Sequence, residues 1–254
     1  MSAELFAAWA KGFSGCDGGD IGSPTARSTW VCGIEWGGGA KPEEWEASLS
    51  EDVGAPPLGH DDAEHNLRYI FNWQTVKLLT AIAGGKVGDY RTTAATVQPF
   101  VRGSVGFFKM NLYPLAFKNT SHAMWMKGFD QLTGFGAKQD YIDWCRNNRF
   151  PILRDWTRAH QPKLIICFGK TYLDDFKAAF GEGGHPDRLE IVADRELRWF
   201  WTRFGTLIAV CPFPVNRHGL NSNARLQAFG DRIAEILDQP PPMEAALHAL
   251  QDSQ

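Results

Sequence analysis

The sequence predicts an α/β protein: a central, mostly parallel, four-stranded sheet flanked by helices. Three observations carry the prediction. Four short apolar runs, at 29–32, 105–110, 163–168 and 206–210, have the length and near-continuous hydrophobicity of strands buried on both faces. The stretches between them carry helical periodicity, the alternation expected of parallel strands joined by helical crossovers. Three of the runs also end in a compact polar motif. These are Gly33-Ile34-Glu35-Trp36-Gly37-Gly38-Gly39, Asn111-Leu112-Tyr113-Pro114 and Cys211-Pro212-Phe213-Pro214-Val215-Asn216. Carboxyl ends of strands are where open α/β sheets gather their sites.

In chain order, Leu5, Phe6, Trp9 and Phe13 recur at helical spacing, so residues 2–13 read as an amphipathic helix. The Gly- and Ser-rich segment 14–27 reads as loop. After the first strand, glycines permit a tight exit, and a long irregular connection runs from 41 to 60 through Ala55-Pro56-Pro57-Leu58. Asp61 with Glu64 has the spacing of a capping box that opens one helix through Leu67, Ile70, Phe71, Val76 and Leu79, closed by Gly84-Gly85. Beyond the second strand, helices are expected at 138–147 and 151–160, and after the third strand at 171–180. A hairpin turning near Asp194-Arg195 precedes the fourth strand, and a last helix covers 222–237.

With 254 residues, 44% of them hydrophobic, the chain is read as one domain over 1–254, with a tail at 239–254. A net charge of -3 excludes a uniformly basic nucleic-acid coat and leaves room for a local basic rim. Five cysteines without a Cys-x-x-Cys pair argue against a disulfide framework or zinc ribbon, and Cys32, Cys167 and Cys211 read as small buried thiols. No apolar run approaches the roughly 18 residues of a membrane span, and the N-terminus lacks a secretory pattern. The expectation is a cytoplasmic protein with no metal, no cofactor and no obligate protein partner.

Gly33-Ile34-Glu35-Trp36-Gly37 lacks the spacing of a dinucleotide fingerprint, and Gly169-Lys170 lacks the upstream glycine of a phosphate-binding loop. Glu35, directly after a buried strand, needs water, a partner or a substrate to offset its desolvation. It reads either as a catalytic acid or as a structural one bonded to nearby amides. The Asn111 carboxamide offers a donor and an acceptor side by side, suited to the edge of a pyrimidine or to tying the loop before Pro114. Two prolines stiffen the Cys211 loop, after which Asn216, Arg217, His218 and Leu220 supply polar, basic and apolar tips. Cys211 and His218 also have the types of a nucleophile and base, although a cysteine ending an apolar strand is more often inert.

Taken in order, these motifs resemble the uracil-DNA glycosylase superfamily. Glu35 falls where that family places its water-positioning acid or amide. Asn111-Leu112-Tyr113-Pro114-Leu115 is similar to the base-reading Asn-x-x-Pro-Leu run of the single-strand-selective branch. Cys211-Pro212-Phe213-Pro214-Val215-Asn216 looks like its His-Pro-Ser-Pro-Arg-Asn segment. Pro56-Pro57-Leu58 and Phe168-Gly169-Lys170 also look like family counterparts, and the likeness covers most of 28–237. Two departures stand out: Cys211 replaces the family's leaving-group histidine, and Phe213 its serine.

The resemblance implies a uracil-DNA glycosylase-like fold and a monofunctional DNA glycosylase that hydrolyses the N-glycosidic bond of a flipped-out altered pyrimidine. Glu35 would orient water, with His218 as a second catalytic group. Asn111 would read the base while Trp36 or Phe71 stacks on it; Trp45 is a further stacking option. Lys118, Lys170, Asn216, Arg217 and Arg225 would contact DNA, and Leu220 would fill the gap left by the flipped nucleotide. Loss of the histidine and the long Gly38–His60 loop favour a nonstandard base such as a bulky modified cytosine of phage DNA, since the superfamily includes antiphage members, with uracil the other option. The alternative is a noncatalytic nucleic-acid or nucleotide-binding module on the same fold.

Overall fold

The computed structural model describes residues 2–39, 41–181 and 186–239; nearly all of the tail expected at 239–254 lies outside them. The strands are β1 (Cys16–Gly19), β2 (Thr29–Gly33), β3 (Phe107–Asn111), β4 (Leu164–Phe168), β5 (Arg188–Val192), β6 (Arg195–Trp201) and β7 (Leu207–Cys211). The helices are α1 (Ser2–Lys11), α2 (Pro42–Ser48), α3 (Ala63–Asn66), α4 (Ile70–Ile82), α5 (Tyr90–Thr96), α6 (Phe129–Thr133), α7 (Lys138–Asn148), α8 (Phe150–His160), α9 (Leu173–Phe180) and α10 (Asn223–Leu237).

One sheet holds all seven strands in the order β1-β3-β2-β4-β7-β6-β5. Its centre, β3-β2-β4-β7, is parallel, with Thr29 opposite Phe107 and Leu164, and Leu164 opposite Leu207. Every residue of β2, β4 and β7 is buried. Alternate side chains serve two cores: Trp30, Cys32, Ile165, Cys167, Ile208 and Val210 face one, and Val31, Leu164, Ile166, Phe168, Leu207, Ala209 and Cys211 the other. The first core also takes side chains from α1, α2 and α6 to α9, and the second from α4 and α10. This double burial explains why β2, β4 and β7 read as continuous apolar runs.

Three antiparallel strands enlarge the expected four-stranded sheet. β1 lies within the segment read as loop and pairs with β3, Cys16 opposite Met110, with an irregularity at Cys16 to Gly18. A strand of sequence Cys-Asp-Gly-Gly has almost no strand propensity of its own, so the β3 edge dictates it. At the other edge β5 and β6 form the expected hairpin, its turn at Ala193 (φ 44°) and Asp194 (φ 63°). Two successive left-handed residues are what a tight hairpin requires.

Other boundaries also move. The 41–60 connection contains α2, which starts with Pro42 at its first position and buries Trp45. The single helix expected from Asp61 is two helices. Asp62, not Asp61, caps α3 by accepting from the His65 amide at 2.7 Å, whereas Asp61 meets Arg102 at 3.3 Å. The chain then bends before α4, and the break is held from inside: Asn66 donates to Pro99 O at 2.8 Å and accepts from Asn72 at 2.8 Å. Gly84 (φ 80°) ends α4 as expected, with the Gly85 amide reaching back to Thr80 O at 2.9 Å.

Arg149, between α7 and α8, has no exposed surface. It donates to Leu112 O (3.1 Å), Ala10 O (2.5 Å), Gly12 O (3.2 Å), Ser14 Oγ (3.2 Å) and Ser14 O (2.7 Å). One guanidinium thus ties the end of α1 and the approach to β1 to the exit of β3. Five cysteines, all buried and all free, lie in the same interior. Among the described residues no helix is long and apolar enough to cross a membrane.

Candidate active site

The loops after the parallel strands are laced together beyond the sheet. Leu112 N donates to Gly33 O (3.0 Å), Tyr113 N to Ile34 O (2.9 Å), Phe117 N to Trp36 O (3.0 Å) and Gly169 N to Cys211 O (2.9 Å). They enclose a cleft of about 460 Å³, within the usual size of small-ligand sites. Ile34, Glu35 and Gly37 come from the loop after β2, Phe117 to Thr120 from that after β3, Gly169 to Tyr172 from that after β4, and Pro212, Phe213, Asn216 and His218 from that after β7.

Glu35 is the buried charge of this cleft. Its side chain is 6% exposed and meets Lys138 Nζ through both oxygens, at 3.2 and 3.1 Å. Lys138, at the start of α7, is 2% exposed, with its ammonium 3.9 Å from the centre of the Phe117 ring. Burial raises the Glu35 carboxyl from its ordinary 4.5 to about 7, against the pull of Lys138; burial likewise lowers Lys138 against the pull of Glu35. A carboxyl poised near neutrality, held by one ammonium and open to a cleft, suits proton transfer or water orientation. Tyr172 lies on the same wall, its phenol pushed up by burial.

Of the residues expected at the site, the structure brings together Glu35, Lys118, Lys170, Asn216 and His218. Lys170 pairs with Glu196 at 3.3 Å, and Asn216 Oδ1 accepts from the His218 amide at 3.1 Å. Arg217 is exposed on the same loop. Phe71 stands behind the cleft, its ring 5.6 Å from Phe213 and 5.3 Å from Phe168.

Other expected residues lie elsewhere. Asn111 is 5% exposed and outside the lining: its Nδ2 donates to Gly15 O at 3.1 Å, and its Oδ1 sits over Gly33, where a Cβ would come within 2.4 Å. Its carboxamide therefore ties the approach to β1 to the strand ends, a different loop from the one before Pro114. Trp36 is 36% exposed, also outside the lining, and 6.5 Å from Trp45. Arg225 is held by Asp194 (3.0 Å) and Asn221 (2.7 Å), so its charge is already met.

Leu220 has no exposed surface and packs among the α10 and sheet residues of the second core, which corrects its expected role as an intercalating tip. The loop doubles back to bury it: Leu220 N donates to Phe213 O at 3.2 Å, and a Cβ on Gly219 would lie 1.6 Å from that oxygen. Cys211 is also wholly buried in that core, with its thiol pushed far up by burial, so it is no nucleophile.

Sequence reasoning missed Lys138, Tyr172, Phe117, Asn119 and Thr120. Lys138 stands 103 residues from Glu35, and a lysine at a helix start ordinarily faces solvent. Asn119 and Thr120 follow Pro114, the last residue of the second motif, too distantly to be read with it. Asn119 uses its Oδ1 on the Ser121 amide at 3.0 Å, as Asn216 does on His218, which leaves the Nδ2 of each as a donor. No protein-family model matches the chain, and no curated protein matches it.

Proposed function

We propose that the chain is a monofunctional DNA glycosylase of the uracil-DNA glycosylase type, acting on an altered pyrimidine flipped into the cleft beside Glu35. The observation that carries this reading is the buried Glu35–Lys138 pair at the end of a central parallel strand, facing a cleft with apolar walls and cationic groups. The likeness of the three motifs to the superfamily supplies the reaction class. In that reaction water attacks C1′ of the sugar, the C1′–N bond breaks, and its electron pair leaves with the base. Glu35 as carboxylate orients the water and takes its proton; His218 and Lys170 face the departing base, whose developing negative charge they offset. Asn119 and Asn216 take over the donor role first read for Asn111. Lys118 and Arg217 meet phosphates.

The test is alkali-labile abasic-site formation, without added cofactor, on oligonucleotides carrying uracil, hydroxymethylcytosine or glucosylated hydroxymethylcytosine, against plain DNA. Cleavage of at least one altered pyrimidine and none of plain DNA is expected, with the modified cytosines preferred. A preference for uracil would reject only the modified-cytosine version. Binding with no abasic sites on any substrate would leave the noncatalytic module.

Burial of Leu220 gives a second expectation. Leu220→Ala opens a cavity in a packed core and should cost about 2–3 kcal/mol of stability in denaturant unfolding. Cleavage of single-stranded and duplex substrates should then fall alike. A loss confined to duplex DNA would reinstate Leu220 as the residue that fills the gap.

A further inference from the structure

A second cleft, of about 700 Å³, lies away from Glu35 on the α3, α4 and α5 surface. Trp73, Lys77, Tyr90, Arg68, Arg91 and Glu64 line it together with the apolar Ala63, Leu67, Ala94 and Ala95. Lys77 Nζ sits 4.5 Å from the Trp73 ring centre and 5.1 Å from that of Tyr90, fixed by Asn223 Oδ1 at 2.8 Å. The Arg91 guanidinium lies 5.4 Å from the Tyr90 ring. Among the described residues, none of Arg68, Lys77 and Arg91 has an ion-pair partner, whereas the exposed Arg102 pairs with Asp61 at 3.3 Å.

Three unpaired cations around one concavity are arranged for an anion, and a cation–ring contact leaves the ammonium free to bind one as well. The volume is far larger than one phosphate group needs and falls within the range of sites for whole organic ligands. Two aromatic rings and four apolar residues beside the cations suit a flat base and a sugar.

We propose that this cleft binds a nucleotide unit, its phosphate held by Arg68, Arg91 and Lys77 and its sugar and base against Trp73, Tyr90 and the alanines beside them. The unit comes either from a free nucleoside monophosphate or from a DNA strand. The inference does not rest on glycosidic chemistry, since binding here needs no turnover.

Calorimetric titration of the full chain with thymidine 5′-monophosphate, thymidine and a short oligothymidylate tests it, alongside Arg68→Glu/Arg91→Glu. Monophosphate binding that weakens by about tenfold or more in the double variant, the scale of losing one charge-assisted hydrogen bond, supports a free nucleotide. Oligothymidylate binding that weakens equally while the monophosphate shows none supports a strand. Thymidine binding as tightly as its monophosphate, unchanged affinity in the double variant, or no binding of any probe overturns the proposal. Should the double variant fail to fold, Arg91→Gln, at an exposed position, is read by the same criteria.

Discussion

Replacement of Glu35 by Gln is expected to lower turnover about a hundredfold while the chain stays folded and still binds DNA, because one acid–base group at the reacting water is lost. The fold tolerates the change because Lys138, already pushed down by burial, can shed its proton when its anion goes. In the native protein, cleavage should rise with pH through about 7, since the working form of Glu35 is the carboxylate and burial holds its proton up to that value. Lys138 opposes that burial, so Lys138→Met should move the limb to higher pH, with activity partly recovered in alkaline buffer. A merely structural lysine would lower activity equally at every pH. The stability sign is opposite to the activity sign. A carboxyl whose folded value lies above its unfolded one contributes stability below about 4.5 that is lost as pH rises through about 7. Full activity of Glu35→Gln would remove Glu35 from the chemistry.

The second large effect falls on stability. Arg149→Leu leaves four carbonyls, three of them fully buried, and the Ser14 hydroxyl without their donor, and it should cost about 4 kcal/mol or more in denaturant unfolding. Arg149→Lys should recover only part, because a single ammonium cannot span the end of α1, the approach to β1 and Leu112 as the planar fork does. A loss under about 1 kcal/mol for Arg149→Leu would mean that water satisfies these groups equally well.

The parallel core was legible because burial on both faces writes itself as unbroken apolar runs, and the 29–32, 163–168 and 206–210 strands match β2, β4 and β7 within a residue at each end. Ends marked by local chemistry were legible too, such as Gly84-Gly85 after α4 and Ser222, whose Oγ caps α10 by accepting from Arg225 N at 3.3 Å. β1 was not, since Cys-Asp-Gly-Gly becomes a strand only beside β3, and α2 buries too little, chiefly Trp45, to leave a periodic trace. At the cleft, strand-end position found Glu35, Lys170, Asn216 and His218. It misplaced Asn111 and Leu220, because a motif gives residue types at a strand end without the direction each side chain takes. Lys138 and Arg149 escaped for a shared reason: a buried cation is defined by distant partners, here Glu35 and the carbonyls of residues 10 to 14 and 112.

Burial of every cysteine gives the molecule an internal reporter of its own opening. Cys16, Cys32, Cys145, Cys167 and Cys211 all lie under packed side chains, and burial pushes every thiol up, Cys16 and Cys145 to about 12. The thiolate is the reactive form, so a disulfide reagent at neutral pH meets almost no nucleophile to attack it until the interior is exposed. Labelling kinetics therefore measure how often the two cores breathe, and β4's Cys167, between Cys32 and the β7 strand, keeps time for the centre of the sheet.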